Sequence, residues 1–153
     1  MTTSDLFDEH PGTASCETQF RQFGGKRSFS GPIATVRCYE DNVLLRAQVS
    51  EPGDGRVLVV DGGGSFGCAL LGDTIAGLAV SNGGAGVIVN GCVRDVVALA
   101  KLPIGIKALG TNPRPSGKAG SGEVDVRVTF GGAEFAPGAT LHADDDGVIV
   151  LSP

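Results

Sequence analysis

VLVVDGGGSFGCALLGDTIAGLAVSNGGAGVIVNGCVRD, running from Val57 to Asp95, is the stretch on which the reading of this chain turns. The apolar run Val57–Val60 ends in Asp61 and three glycines, and a second run, Val87–Val89, ends in Asn90-Gly91. Between them, Asp73–Val80 carries apolar residues at helical spacing. Strand, glycine loop, helix and second strand is the order of a βαβ crossover, whose two strands lie parallel. Parallel strands deliver their carboxyl ends to one edge of the sheet, where ligands of α/β proteins usually sit. Asp61, the glycines and Arg94-Asp95 emerge at that edge. The candidate site is therefore an arginine and two or three carboxylates beside a loop of bare backbone amides.

Upstream of this unit, Gly31–Glu40 is rich in β-branched residues and predicts a strand. Asp41-Asn42 is an N-cap signal for a helix running to Ser50, which Pro52-Gly53 stops. Gln19–Ser30 reads as a loop whose Phe20, Phe23 and Phe29 plug the core, and Ser4–His10 as a short acidic helix with a serine or aspartate cap. Downstream, Val96–Ala100 predicts a helical turn or two, and Ile104–Leu109 another strand. Thr111–Gly122, rich in Asn, Pro, Ser and Gly, predicts a surface loop with the composition of a mobile one. Glu123–Phe130 alternates cleanly, with Val124, Val126, Val128 and Phe130 on one face, as a half-exposed antiparallel strand would. Gly131-Gly132 turns the chain into Ala133–Phe135, and a final strand follows Asp144-Asp145-Asp146-Gly147. The pattern is that of an α/β protein with a central mixed sheet and flanking helices.

At 153 residues the chain fits one domain, residues 1–153, with a real core. The 25 glycines are spread among apolar runs and mark turns, not a linker. A net charge of −5 without any basic run argues against a nucleic-acid surface, because phosphate backbones are held by clustered Lys and Arg. No apolar stretch approaches the length of a membrane span, and the first thirty residues are polar without a signal-peptide core, so a cytoplasmic protein is expected. Cys16, Cys38, Cys68 and Cys92 lack C-x-x-C spacing and read as buried structural thiols. Cys92 alone falls inside the candidate site, with no histidine near it in sequence to activate it as a nucleophile.

Four features invite chemistry. Gly62-Gly63-Gly64 looks like a phosphate cradle but has neither G-x-G-x-x-G nor the G-K-[ST] ending of a P-loop. Asp144–Asp146 lacks the alternating ligands and distant glutamate of an EF-hand, and turn chemistry is the better reading. Lys107 is a Schiff-base candidate, but a lysine on a mixed strand is more often a solvated edge residue. The fourth is Gly72-Asp73 at the start of the crossover helix together with Arg94-Asp95 after the second strand, with twenty residues, 74 to 93, between Asp73 and Arg94. Amides at a helix N-terminus bind anions, a guanidinium grips a carboxylate bidentately, and a neighbouring carboxylate holds a hard divalent metal. Such a set suits a small α-keto acid. The plainer reading, a helix-dipole aspartate and a surface ion pair, stays open on spacing alone.

The motifs VLVVDGGGS, G-D-x-I-A, G-x-V-R-D and GIKALGTNP resemble the family that includes the regulator of ribonuclease activity A and the class II 4-hydroxy-4-methyl-2-oxoglutarate aldolases, over Cys16 to Leu151. The resemblance implies a swivelling β/β/α fold, a homotrimer or a higher assembly of trimers, and active sites between subunits. Asp73, Arg94 and Asp95 match the D-x20-R-D signature of the aldolase members. Carried over by motif, the amides of Gly72, Asp73, Thr74 and Ile75 bind substrate, Arg94 holds the keto acid, Asp73 and Arg94 are catalytic, and Asp95 binds Mg²⁺ or Mn²⁺. The implied activity is metal-dependent cleavage of 4-hydroxy-4-methyl-2-oxoglutarate to pyruvate, with oxaloacetate decarboxylation beside it. The competing class within the same family is a non-catalytic regulator that inhibits ribonuclease E.

Overall fold

The two apolar runs lie side by side as parallel strands, buried through Val57–Val60 and Val87–Val89. Covered on both faces, they read as continuous hydrophobic segments instead of alternating ones. A computed structural model describes residues 1–152. In chain order its elements are α1 (Thr3–Glu9), β1 (Ala14–Ser15), β2 (Arg21–Gln22), β3 (Phe29–Arg37), α2 (Val43–Val49), β4 (Val57–Asp61), β5 (Ala69–Leu71), α3 (Asp73–Ser81), β6 (Gly86–Val93) and α4 (Val96–Leu99). There follow β7 (Gly105–Thr111), β8 (Glu123–Val124), β9 (Val128–Phe130), β10 (Ala133–Phe135), β11 (Thr140–Asp144) and β12 (Gly147–Leu151). The main sheet runs β1-β12-β11-β3-β4-β6-β7-β2. Its centre, β3 to β7, is parallel, and its flanks are antiparallel. This is the swivelling β/β/α architecture, a mixed sheet with flanking helices.

Strand periodicity divides the core in two. Leu58 and Val60 face the helical layer, where they meet Leu45 of α2 and Ile75 and Ala76 of α3. Val57 and Val59 face the opposite layer, with Phe29, Ile88, Phe135 and Leu141. Gly86 and Gly105 are register partners on β6 and β7, and a Cβ on either would run into the Phe29 ring. The two glycines form a slot that this ring fills. Phe23 and Phe29 are buried and Phe20 is partly so, edge-on to Phe130, as core plugs should be.

Several expectations need correction. β6 does not stop at Asn90-Gly91 but continues to Val93, with a register irregularity between Val89 and Cys92 that absorbs those two residues. The alternating segment is not one strand. Asp125 adopts φ 56°, which turns the chain between β8, on β3, and β9, on β10. Lys107 is not a solvated edge residue: only 3% exposed, it is enclosed on β7 between β6 and β2. Residues 111–122 lie at the surface as expected, and they are tied to the start of α2. Asp41, buried at 4% exposure, accepts from the amides of Val43, Ala119 and Gly120, and Gly117 N–H donates to Glu40 O. Burial pushes the Asp41 carboxyl up, but the backbone donors outweigh it and hold the group below the usual carboxylate range. The α1 cap is Thr2, in a reciprocal pair with Asp5. Asp144–Asp146 is turn chemistry, with Asp144 accepting from Asp146 N–H and from the Thr3 amide and hydroxyl.

Candidate functional site

The cleft at the carboxyl edge is built by β5, a three-residue strand with no periodicity to announce it. Pairing of Ala69 with Cys92 and of Leu71 with Val93 brings the start of α3 against the end of β6, and Arg94 N–H donates to Leu71 O at 3.0 Å. Asp95 is left-handed, with φ 62° and ψ 41°, a conformation that aspartate tolerates better than most side chains. The bend returns its carboxylate onto the crossover helix, where Oδ2 accepts from Asp73 N–H at 3.0 Å. Gly72 is what permits the approach, because a Cβ there would overlap Asp95 Oδ2. The first intrahelical bond of α3 runs from Ala76 N–H to Gly72 O, so the amides of Thr74 and Ile75 belong to the open first turn.

Gly72, Asp73, Thr74, Ile75, Arg94 and Asp95 all line one cleft of about 440 Å³. Asp73, Arg94 and Asp95 are exposed, and no ion pair among the described residues uses any of them. Arg94 is steadied by one bond, Nη1 to Pro113 O at 3.3 Å. The plainer reading of Arg94-Asp95 as a surface ion pair therefore loses its pair.

Other expected members stand elsewhere. Asp61 accepts from Gly63 N–H and Asn90 Nδ2, and the amides of Gly62 and Gly64 both donate to Asn90 O. That loop ties itself to β6 and has no bare amides for a phosphate. Cys92 is fully buried and does not line the cleft; burial raises its thiol, as it does that of Cys68, and pushes Cys38 up to about 12. Among the described residues all four cysteines are free.

The cleft also holds groups that sequence reasoning passed over. Asn42 does not cap α2 with its side chain; its Nδ2 donates to Leu70 O at 3.0 Å and pins the helix to β5. Lys118 Nζ donates to Asn42 Oδ1 at 2.9 Å, to Ser116 O at 3.1 Å and to Ser116 Oγ at 3.3 Å. Arg46, one turn beyond Asn42, lines the same wall. No spacing motif joins a helix residue to a lysine in a polar loop. The only signal available was the conjunction of Asn42, Arg46 and Ser50 at four-residue intervals on a short helix.

The donor set can be tested against a divalent metal. Asp95 and Asp73 supply carboxylate oxygens, and no group of three or more His, Cys, Asp or Glu among the described residues is arranged to hold an ion. This fits a hard ion such as Mg²⁺ that keeps several waters on one or two carboxylates, and it does not fit a closed tetrahedral zinc cage.

The cleft lies at the carboxyl edge of the parallel strands, the place where ligands of α/β sheets usually sit. The chain belongs to the RraA-like family, whose Aldolase/RraA model matches residues 2–150. It is similar to a Geobacillus kaustophilus protein described as S-adenosylmethionine:2-dimethylmenaquinone methyltransferase, at 50% identity over 99% of this chain and 95% of that one, with a TM-score of 0.98. The RNA-processing inhibitor RraA of Thermus thermophilus is 46% identical over 99% and 92% of the two chains, with a TM-score of 0.97. RraAS2 of Streptomyces coelicolor, an unusual member of the RNase ES inhibitor RraA family, is 29% identical over 99% and 80%, with a TM-score of 0.82. No helix among the described residues is long and apolar enough to cross a membrane.

Proposed function

We propose that the cleft is the site of a divalent-metal-dependent lyase acting on 2-oxo acids of the 4-hydroxy-4-methyl-2-oxoglutarate type, with oxaloacetate decarboxylation as a second activity. The observation that supports it is the convergence of Arg94, Asp95, Asp73 and the open first turn of α3 on one cleft, with Arg94 in no ion pair among the described residues. The reaction breaks the C3–C4 bond, sends its electron pair toward the C2 oxo group and requires the C4 hydroxyl to lose a proton. Arg94 binds the C1 carboxylate and faces the negative charge developing at the C2 oxygen. Thr74 and Ile75 N–H orient the carboxylate. Asp73, which makes no side-chain hydrogen bond to a described residue, is the cleft's group for accepting the proton. A Mg²⁺ or Mn²⁺ ion on Asp95 would supply Lewis-acid polarisation of the carbonyl when bound.

A second reading, a regulator that inhibits ribonuclease E without catalysis, is supported by the names of two of the three relatives. The comparisons favour it over the lyase, and the cleft's geometry is what favours the lyase. Methyl transfer, which the Geobacillus relative's name brings in, suits the cleft less well. S-adenosylmethionine carries a sulfonium cation, whereas in this cleft Arg46, Arg94 and Lys118 outnumber Asp73 and Asp95. For either reading we infer a homotrimer or a higher assembly of trimers, the number that the family resemblance implies; Tyr39, Phe66 and Val97, which stand 66%, 58% and 73% exposed in segments that follow β3, β4 and β6, offer apolar surface for such a contact. Light scattering showing a monomer would remove that inference.

Pyruvate release, metal affinity and ribonuclease E inhibition, measured on the wild type, Arg94→Lys and Asp95→Asn, decide between the classes. A lysine cannot reproduce the planar two-point contact, so Arg94→Lys should lower turnover at least tenfold, about 1.4 kcal/mol in the barrier. Asp95→Asn should weaken the metal, and chelation by EDTA should abolish turnover until Mg²⁺ or Mn²⁺ is restored. No pyruvate from the wild type with metal, together with inhibition intact in both variants, would replace the lyase by the regulator.

A further inference from the structure

Eight arginines are present in this chain, and four of them, Arg27, Arg37, Arg56 and Arg127, are in surface ion pairs. Of the two that line the cleft, Arg94 makes one side-chain hydrogen bond among the described residues, to the Pro113 carbonyl, and Arg46 makes no side-chain hydrogen bond or ion pair to any described residue. The wall that carries Arg46 is fixed. Asn42, four residues earlier on the same face of α2, is bonded to Leu70 O, and the adjacent Asp41 holds the amides of Ala119 and Gly120. A guanidinium on a pinned helix, facing a cleft and bonded to no described residue, is a donor set aside for a ligand.

Charge narrows the ligand. Arg46, Arg94 and Lys118 against Asp73 and Asp95 leave the cleft one positive charge in excess, while the chain as a whole carries −5. The divalent ion of the proposed function would raise the excess to about three, so a dianion is accommodated better than a monoanion. Hydrogen-bond capacity then separates the cations. An ammonium has three hydrogens, and those of Lys118 go to Asn42 Oδ1, Ser116 O and Ser116 Oγ, so Lys118 contributes field and no free donor. Arg94 is committed to the reacting end of the substrate.

We propose that Arg46 is the specificity-determining residue for a second, distal carboxylate, so that the site selects dicarboxylic over monocarboxylic 2-oxo acids. The proposal rests on the lyase reading for its direction along the cleft, with Arg94 at C1 and Arg46 at the far end. Lys118 biases the field toward the same end.

The test titrates two probes, 2-oxoglutarate and pyruvate, into the Mg²⁺-loaded wild type, Arg46→Ala and Arg46→Lys by calorimetry, and measures in parallel pyruvate release from 4-hydroxy-4-methyl-2-oxoglutarate, whose distal carboxylate survives the cleavage. Arg46→Ala should weaken 2-oxoglutarate about tenfold and leave pyruvate within twofold, and Arg46→Lys should recover part of the loss because it keeps the charge but not the fork. In turnover the same variant should raise KM with kcat little changed. An equal effect on both probes, no effect on either, or no preference of the wild type for 2-oxoglutarate would overturn the proposal. Failure of the lyase reading shows separately, as wild-type protein that binds the probes and releases no pyruvate. Arg46 is exposed on a short helix, and unchanged thermal unfolding of Arg46→Ala verifies that binding, not folding, is being read.

Discussion

Gly72 and the pair Gly86–Gly105 meet their neighbours in the same way and to opposite ends. In each case a Cβ would collide, with the Asp95 carboxylate at Gly72 and with the Phe29 ring at Gly86 and Gly105. In the sheet the absent side chain makes room for an aromatic plug that is 8% exposed and joins β3 to the middle of the parallel layer. At the cleft it makes room for an exposed carboxylate that contributes nothing to the core. One glycine site buries apolar surface, and the other positions a charge. The comparison predicts that stability and function separate between them.

The sheet should show the larger effect. Gly105→Ala places a methyl against the root of the Phe29 ring, which is 8% exposed and belongs to the buried cluster of Val57, Val59 and Ile88. Overpacking of this kind costs about 1–3 kcal/mol, and a fixed aromatic belongs at the upper end. Urea unfolding should therefore report a loss near ~3 kcal/mol with an unchanged slope, while probe binding per folded molecule stays as in the wild type. A loss under about 0.5 kcal/mol would mean that Phe29 is not held in that slot.

Gly72→Ala should reverse the pattern. Its neighbour is the end of an exposed side chain, so unfolding should move by less than about 0.5 kcal/mol. The displaced Asp95 should weaken metal affinity and lower turnover by about tenfold, worth ~1.4 kcal/mol. Destabilisation as large as that of Gly105→Ala, with metal affinity intact, would make Gly72 a packing residue too and dissolve the contrast.

The same contrast explains what could be read from sequence. Val57–Val60 and Val87–Val89 were legible because a strand buried on both faces is an unbroken apolar run, and the crossover they imply placed Gly72, Asp73, Arg94 and Asp95 at one edge. β2 and β5 were not legible, since two or three residues cannot display a period. The alternation of Val124, Val126, Val128 and Phe130 misled because a single left-handed residue, Asp125, divides it without leaving a glycine or proline to signal the break. Arg46 and Lys118 reach the cleft only through α2 and a folded-back loop, a juxtaposition that exists in three dimensions and has no linear signature.

Lys107 is the residue whose sequence reading was most fully reversed, and it yields the smallest effect. Its side chain is buried on β7 opposite Gln22, whose Oε1 is itself enclosed without a hydrogen-bond partner among the described residues. Burial lowers the Lys107 pKa, Asp144 and Asp145 oppose that shift, and Arg27 adds to it. With the folded value below the ordinary lysine value near 10.4, the unfolded chain binds more protons between the two, so stability contributed by this residue rises with pH through that window. Below the folded pKa the whole penalty of the buried ammonium is present. Lys107→Met removes it and should stabilise the protein at pH 7 by about 1 kcal/mol, roughly 2–4 °C in Tm at this size. The buried thiols titrate in the opposite sense at alkaline pH, Cys38 with its value pushed up to about 12, so the wild-type curve alone mixes the two. The difference between variant and wild type isolates Lys107, and it should shrink steadily as pH climbs toward 10. A constant difference would show that the ammonium is not what the fold resists. A loss of stability at pH 7 would show that the charge has a partner, and that this part of the sheet, like the cleft, was built around a charge.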